Sequence, residues 1–145
     1  MRTALILCAL LYCTAGTAHT PPEELVRAYR DFAGSEANAR ALIVGLHESS
    51  DIVLERTVII DPPTGKMSYD NVAIALALVR ASLEEHGVTG PTPRELQAAL
   101  LGGSVTRPDG VAATLPGVLE MRAGGMRWGE IAQTLGYKLP LQKPQ

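Results

Sequence analysis

The sequence is poor in aromatic residues, with one Trp and one Phe among 145 residues. Aromatic side chains supply much of the buried area in most cores, so a core here must be built from Leu, Val, Ile and Ala. A chain of this length still buries about two-thirds of its unfolded surface on folding. The composition therefore predicts a single domain that folds on its own.

The sequence also lacks an excess of positive charge and any apolar run long enough to cross a bilayer. Its formal net charge is −2, which does not attract nucleic acid or an anionic membrane surface. The apolar runs Ala4–Tyr12 and Val72–Val79 contain nine and eight residues, whereas a spanning helix needs about 20. We expect no nucleic-acid partner and no stable membrane insertion once the leader is removed.

The N-terminus has the pattern of an export signal. Met1–Thr3 is short and positively charged, and it precedes the apolar run Ala4–Tyr12. Gly16 and Ala18 then occupy the −3 and −1 positions of a signal-peptidase site. The pattern predicts a cleaved signal peptide over residues 1–18 and a periplasmic or secreted bacterial protein. A buried first helix of the domain is the alternative for the same residues.

Cysteine and histidine give no sign of a metal site or a cofactor. Both cysteines, Cys8 and Cys13, lie within the predicted leader, so the mature chain has no disulfide and depends on packing for stability. His19, His47 and His86 show no metal-ligand spacing. His47 and His86 fall near predicted helix C-termini, where a cation is favoured. We therefore expect neither a cofactor nor a metal.

The stretch from Met67 to Leu101 is predicted to form the centre of the fold. Its first half is apolar nearly all the way round, which is typical of a buried helix. Ser68 or Asp70 can cap this helix at its start, and Gly87 suits a left-handed end. The core stripe at helical spacing comprises Val72, Leu76, Val79 and Leu83.

A second helix follows the first and completes an αα-hairpin. Thr92, Pro93 and Glu95 have the spacing of a capping box with proline at the first helical position. Leu96 and Leu100 are its predicted core residues. The helix should stop at Gly102 and Gly103.

The flanking segments predict more helices and two short β-hairpins. A helix with Thr20 in a capping box carries Val26 and Phe32, and a second one capped by Ser35 follows. Residues 52–60 and 104–114 read as hairpins that could pair into one small antiparallel sheet. Helices after Pro116 and Arg127 complete the chain, with Trp128, Ile131 and Leu135 as core residues of the last. The fold class is mainly α with small β-hairpins (α+β): one helical domain over residues 19–139 and a flexible tail over 140–145.

Candidate binding residues lie in the loop that enters the central helix. Gly65 and Lys66 invite comparison with a phosphate-binding loop, but no Gly lies five residues before Gly65, and Met67 stands where Ser or Thr would bind magnesium. A rigid loop with Lys66 as a solvated charge explains the sequence better. Lys66, Tyr69 and Asn71 are therefore only weak binding candidates.

Two alternatives for function come from other patterns. Glu85 and Glu95 flank the hairpin connector, and two facing carboxylates could act as acid and base in a small hydrolase of envelope polymers. Residues 128–136 resemble the first helix and turn of a helix-turn-helix regulator. The residues that follow, Tyr137–Gln145, include two prolines and cannot form the reading helix.

Three blocks of the sequence are similar to blocks found in a group of known proteins. They are Pro63–Met67 with Asn71 and Val72; Pro91–Pro93 with Leu96 and Ala98–Leu100; and Arg122, Ala123, Gly125, Met126 and Trp128–Ala132. Together they resemble a set of small exported bacterial proteins of unassigned activity. Those proteins carry Gly-Tyr-Gly-Asn where this chain has Ser68–Asn71, so the loop is less tight here. The resemblance implies a location and a class, but no functional residue.

These observations favour an exported, non-enzymatic binding or structural module of the cell envelope. Its partner would be an unidentified protein or envelope component. The hydrolase using Glu85 and Glu95 and the helix-turn-helix-like regulator are the alternatives. No catalytic residue is assigned in the preferred interpretation.

Overall fold

The computed structural model describes residues 21–137, which form an α+β domain dominated by helices. The predicted signal peptide, His19 and the tail 140–145 lie outside the described residues. No helix within 21–137 is long and apolar enough to span a bilayer. The elements in chain order are α1 Glu23–Ala33, α2 Glu36–Glu48, β1 Ile52–Leu54, β2 Val58–Ile60, α3 Tyr69–Glu85, α4 Pro93–Leu101, β3 Gly103–Thr106, β4 Ala112–Leu115, α5 Val118–Ala123 and α6 Trp128–Thr134.

The central helix α3 is the 17-residue core of the domain. Ser68 caps it by accepting a hydrogen bond from the Asn71 amide at 3.2 Å. Gly87, with φ 77°, ends it in a Schellman motif, in which the Val88 amide donates to Leu83 O at 2.9 Å. The helix packs against α2, α4, α5 and α6. The predicted core stripe is fully buried: Val72, Leu76, Val79 and Leu83.

The helix α4 starts with the predicted capping box. Thr92 Oγ1 accepts from the Glu95 amide at 3.3 Å, and Glu95 Oε1 accepts from the Thr92 amide at 3.0 Å. Leu96 and Leu100 are fully buried. The αα-hairpin of α3 and α4 is thereby confirmed.

The N-terminal helices α1 and α2 pack against each other. The start of α1 differs from the prediction. Ser35 caps α2 as predicted, accepting from the Asn38 amide at 3.1 Å. Thr20, predicted in a capping box, lies outside the described residues; α1 begins at Glu23 with Pro22 at the cap and no side-chain cap hydrogen bond. Glu23 instead accepts two hydrogen bonds from Arg40 on α2, at 2.9 and 3.1 Å.

The two β-hairpins form at the predicted positions but remain two separate two-stranded sheets. The single sheet expected from the sequence is therefore wrong. The helix α4 lies against both β2 and β3, and Gln97 on α4 donates to Ile59 O of β2 at 3.2 Å. The helix α4 therefore contacts both hairpins, and one of its side chains donates to a backbone carbonyl of the first.

The C-terminal helices α5 and α6 cover one end of α3. The helix α5 begins at Val118 and not at Pro116, because Gly117 has φ 75° and approaches the chain at Gly102 so closely that a Cβ would lie 2.4 Å from Gly102 N. Ile131 on α6 and Leu135 at its C-cap are buried as predicted. Trp128, expected in the core, is only partly buried at its edge, since its side of α6 borders a cavity.

Candidate functional site

A cavity of about 340 Å³ opens between the loop before α3 and the two C-terminal helices. Its walls are Pro63–Met67, Asn71, Arg122–Ala123 and Trp128. We call it the loop–helix cavity. Two parts of the chain that are far apart in the sequence meet here and contribute two positively charged side chains.

The loop wall is fixed by hydrogen bonds to the end of α2. Ser49 Oγ donates to Thr64 O at 2.6 Å, and the Met67 amide donates to His47 O at 3.2 Å. His47 Nδ1 lies 2.7 Å from Met67 O. A carbonyl oxygen only accepts, so this nitrogen carries the proton. These three contacts tie the loop to the C-terminal end of α2.

An aromatic stack supports the loop from behind. The rings of His47 and Tyr69 lie 3.9 Å apart between centroids and 9° from parallel. Burial raises the pKa of Tyr69, and the Glu48 carboxylate raises it further. Tyr69, one of the predicted binding candidates, does not line the cavity. Its role in the structure is to hold the imidazole that positions Met67.

The opposite wall is a cation–π pair. The Arg122 guanidinium carbon lies 4.6 Å from the centre of the Trp128 ring. Arg122 Nη1 also donates to Met126 O at 3.1 Å, and a Schellman turn at Gly125 places this carbonyl, with the Met126 amide donating to Met121 O at 3.1 Å. Both contacts fix the guanidinium at the edge of the cavity.

Two residues that line the cavity carry a buried polar group with no hydrogen-bond partner within residues 21–137. Thr64 is 9% exposed, and its hydroxyl is buried without a hydrogen bond. The Trp128 indole N–H is buried and unpaired as well. Arg122 has no carboxylate partner among the described ion pairs, whereas Lys66 Nζ lies 3.9 Å from Glu48 Oε2 and stays 77% exposed. Buried polar groups in native proteins are nearly always paired, so both unpaired groups are unusual. The Tyr69 hydroxyl, which does not line the cavity, is buried and unpaired as well.

The predicted binding candidates Lys66 and Asn71 both line this cavity. The sequence did not identify Thr64, Arg122 or Ala123 as site residues. Two of the three blocks that carry the resemblance supply its walls, although nothing in the sequence indicates that they meet. Lys66 is largely solvated, as the sequence predicts, and it lines the same cavity as a second cation, Arg122.

The structure does not bring the Glu85–Glu95 pair into one cleft. The Glu95 carboxylate is used in the capping box of α4. Glu85 is exposed at the end of α3, beside a different cavity that it shares with His86, Arg107 and Asp109 and not with Glu95. No group of three or more His, Cys, Asp or Glu residues in the described chain could hold a metal ion.

No protein-family model, characterised protein or solved structure matches this chain. The function of the cavity must therefore be inferred from its own geometry. The cavity has donor groups, a fixed shape and an opening to solvent. Its lining side chains include no carboxylate, imidazole or thiol.

Proposed function

We propose that this protein is an exported, non-enzymatic binding module of the bacterial cell envelope, and that it holds its ligand in the loop–helix cavity. The observation that carries the proposal is one cavity whose walls bring the cations Lys66 and Arg122 together with Asn71 and Trp128. A ligand with acceptor oxygens can pair with the charged and polar side chains of these walls.

A binding role fits the cavity better than catalysis does. General acid–base chemistry needs a proton donor and acceptor of suitable pKa beside the reacting bond. The cavity walls offer Lys66, Arg122, a hydroxyl, an amide and an indole, which bind and orient a ligand but do not form a nucleophile–base pair. The hydrolase alternative loses support because Glu95 is used to cap a helix.

The location in the envelope rests on the N-terminal export pattern. The apolar run, the small residues at positions 16 and 18 and the basic start favour cleavage after Ala18. The mass of the native protein tests this step. We expect a chain that lacks residues 1–18, whereas a native protein that retains Met1 would contradict export by this leader.

The ligand-binding role is tested by photo-crosslinking in intact cells. Ala123 lines the cavity and is exposed, so a photoreactive amino acid at this position should capture an envelope component. The matched control is the same amino acid at Arg94, which is exposed on α4 and not among the lining residues. We expect a crosslinked product from position 123 that is absent from position 94. Equal products from both positions, or none from either, would reject the cavity as a binding site.

A further inference from the structure

The geometry points to a specific ligand class: the loop–helix cavity binds an envelope fragment through a negatively charged oxyanion held between Lys66 and Arg122. This inference rests on the proposed binding function and adds the chemistry of the ligand. It follows from the donor and acceptor inventory of the walls, the unpaired charge and the size of the cavity.

The polar groups at the cavity are mainly hydrogen-bond donors. The Lys66 ammonium, the Arg122 guanidinium and the Trp128 indole N–H can donate but cannot accept. Thr64 and Asn71 can do both. A ligand that satisfies these walls must therefore be rich in acceptors, and an oxyanion offers the most acceptor sites per atom.

The charge of the cavity has the matching sign. Two cations and no anion are among the lining residues. The contact of Lys66 with Glu48 is 3.9 Å long and mostly exposed to solvent, and such a pair contributes little. Arg122 forms no ion pair with a carboxylate within residues 21–137.

Arg122 is already oriented for recognition of an oxyanion. Nη1 is bound to Met126 O, and the plane of the guanidinium is held near the Trp128 ring. The remaining N–H groups of a fixed guanidinium form the planar fork that matches carboxylate and phosphate oxygens. Because the side chain is ordered before the ligand arrives, little entropy is lost on binding.

The size of the cavity limits the bound group. A volume of about 340 Å³ lies at the lower end of the range of roughly 300–1,000 Å³ for ligand pockets. One sugar or a short peptide end with one acidic group fills it. Envelope polymers supply such groups from two sources, the carboxylates of peptidoglycan and the phosphates of anionic glycans and lipids.

The experiment is a titration followed by the fluorescence of Trp128, the sole Trp in the chain and a wall of the cavity. The probes are N-acetylmuramic acid and N-acetylglucosamine, which differ by one carboxylate-bearing group, and glycerol phosphate for the phosphate source. We expect saturable binding of at least one anionic probe, at least about tenfold tighter than binding of the neutral sugar. Binding should weaken as the ionic strength rises.

Two variants locate the interaction. Lys66→Gln and Arg122→Gln should each weaken binding of the anionic probe about tenfold, while Arg94→Gln, on an exposed surface away from the cavity, should leave it unchanged. If Arg122→Gln fails to fold, the Lys66→Gln variant still tests the oxyanion inference. The Lys66 side chain is largely solvated, so its replacement should not affect folding.

The preferred anion identifies the source of the ligand: N-acetylmuramic acid indicates peptidoglycan, and glycerol phosphate indicates an anionic glycan or lipid. Equal binding of the neutral and anionic sugars overturns the oxyanion inference, as does the absence of binding by either anion. The crosslink from position 123 is read separately. A product there together with a failed titration rejects only the ligand class, whereas its absence rejects the binding function itself.

Discussion

At the scale of single residues, Arg122 links the end of α5 to the cavity. Its guanidinium donates to Met126 O and lies against Trp128, so one side chain both orders the turn and shapes the site. The sequence identified Trp128 by its helical spacing with Ile131 and Leu135, but this spacing does not distinguish a core position from one at a cavity. The prediction was wrong about the burial of Trp128, whereas the helix α6 was predicted correctly.

Ala75 tests the burial of α3. It is fully buried, so Ala75→Asp places a charge without a partner in the core, which costs several kcal/mol against a total stability of about 5–15 kcal/mol. We expect loss of cooperative thermal unfolding in circular dichroism. Ala37→Asp, at an exposed position of α2, is the control and should melt like the wild type. Normal melting of Ala75→Asp would show that α3 is not the core.

The burial of Tyr29 should make the stability of the folded protein sensitive to alkaline pH. Burial raises its pKa above the ordinary value of 10.0, although the charge of Arg80 opposes this. The folded state thus favours the neutral phenol, and the corresponding stability is fully present below about pH 10 and lost as the pH rises through the raised pKa. Tyr29→Phe cannot ionise, so its melting temperature should fall less between about pH 9 and 11 than that of the wild type. Equal slopes would contradict a buried phenol at this position.

At the scale of elements, glycine and capping residues fix where helices end. Gly87, Gly125 and Gly136 all have positive φ and follow α3, α5 and α6, each at the left-handed position of a Schellman turn. The sequence predicted the end of α3 at Gly87 because this signal is local. The pairing of the two hairpins was not local, since it depended on where α4 packed, and that prediction was wrong.

The capping box of α4 gives a quantitative test at this scale. Thr92→Ala removes the hydroxyl that accepts from the Glu95 amide, and it should lower the free energy of unfolding by about 1 kcal/mol. Thr89→Ala, in the exposed connector just before it, should change stability by less than about 0.5 kcal/mol. Denaturant titration of both variants measures the difference. Equal effects would mean that the capping box adds nothing to stability.

At the scale of the whole molecule, α3 organises the core and the cavity forms where its N-terminal loop meets the C-terminal helices. The core was predictable because hydrophobic spacing specifies which face of a helix is buried. The cavity was not, because Lys66 and Arg122 approach each other only through tertiary packing. The sequence therefore predicted two of the cavity's residues, Lys66 and Asn71, without the polar cluster that they form with Thr64 and Arg122.

The indole N–H of Trp128 tests the central claim most directly. The chain contains one Trp, so a ¹⁵N-labelled sample gives a single indole N–H signal in a two-dimensional NMR spectrum. This group is buried and unpaired in the structure, and soluble fragments of the bacterial envelope should shift its signal when they bind. We predict a saturable shift of this signal and of the Gly65 amide, with the Gly110 amide of the distant hairpin turn unchanged. Binding that shifts Gly110 while leaving the indole signal in place would contradict the account.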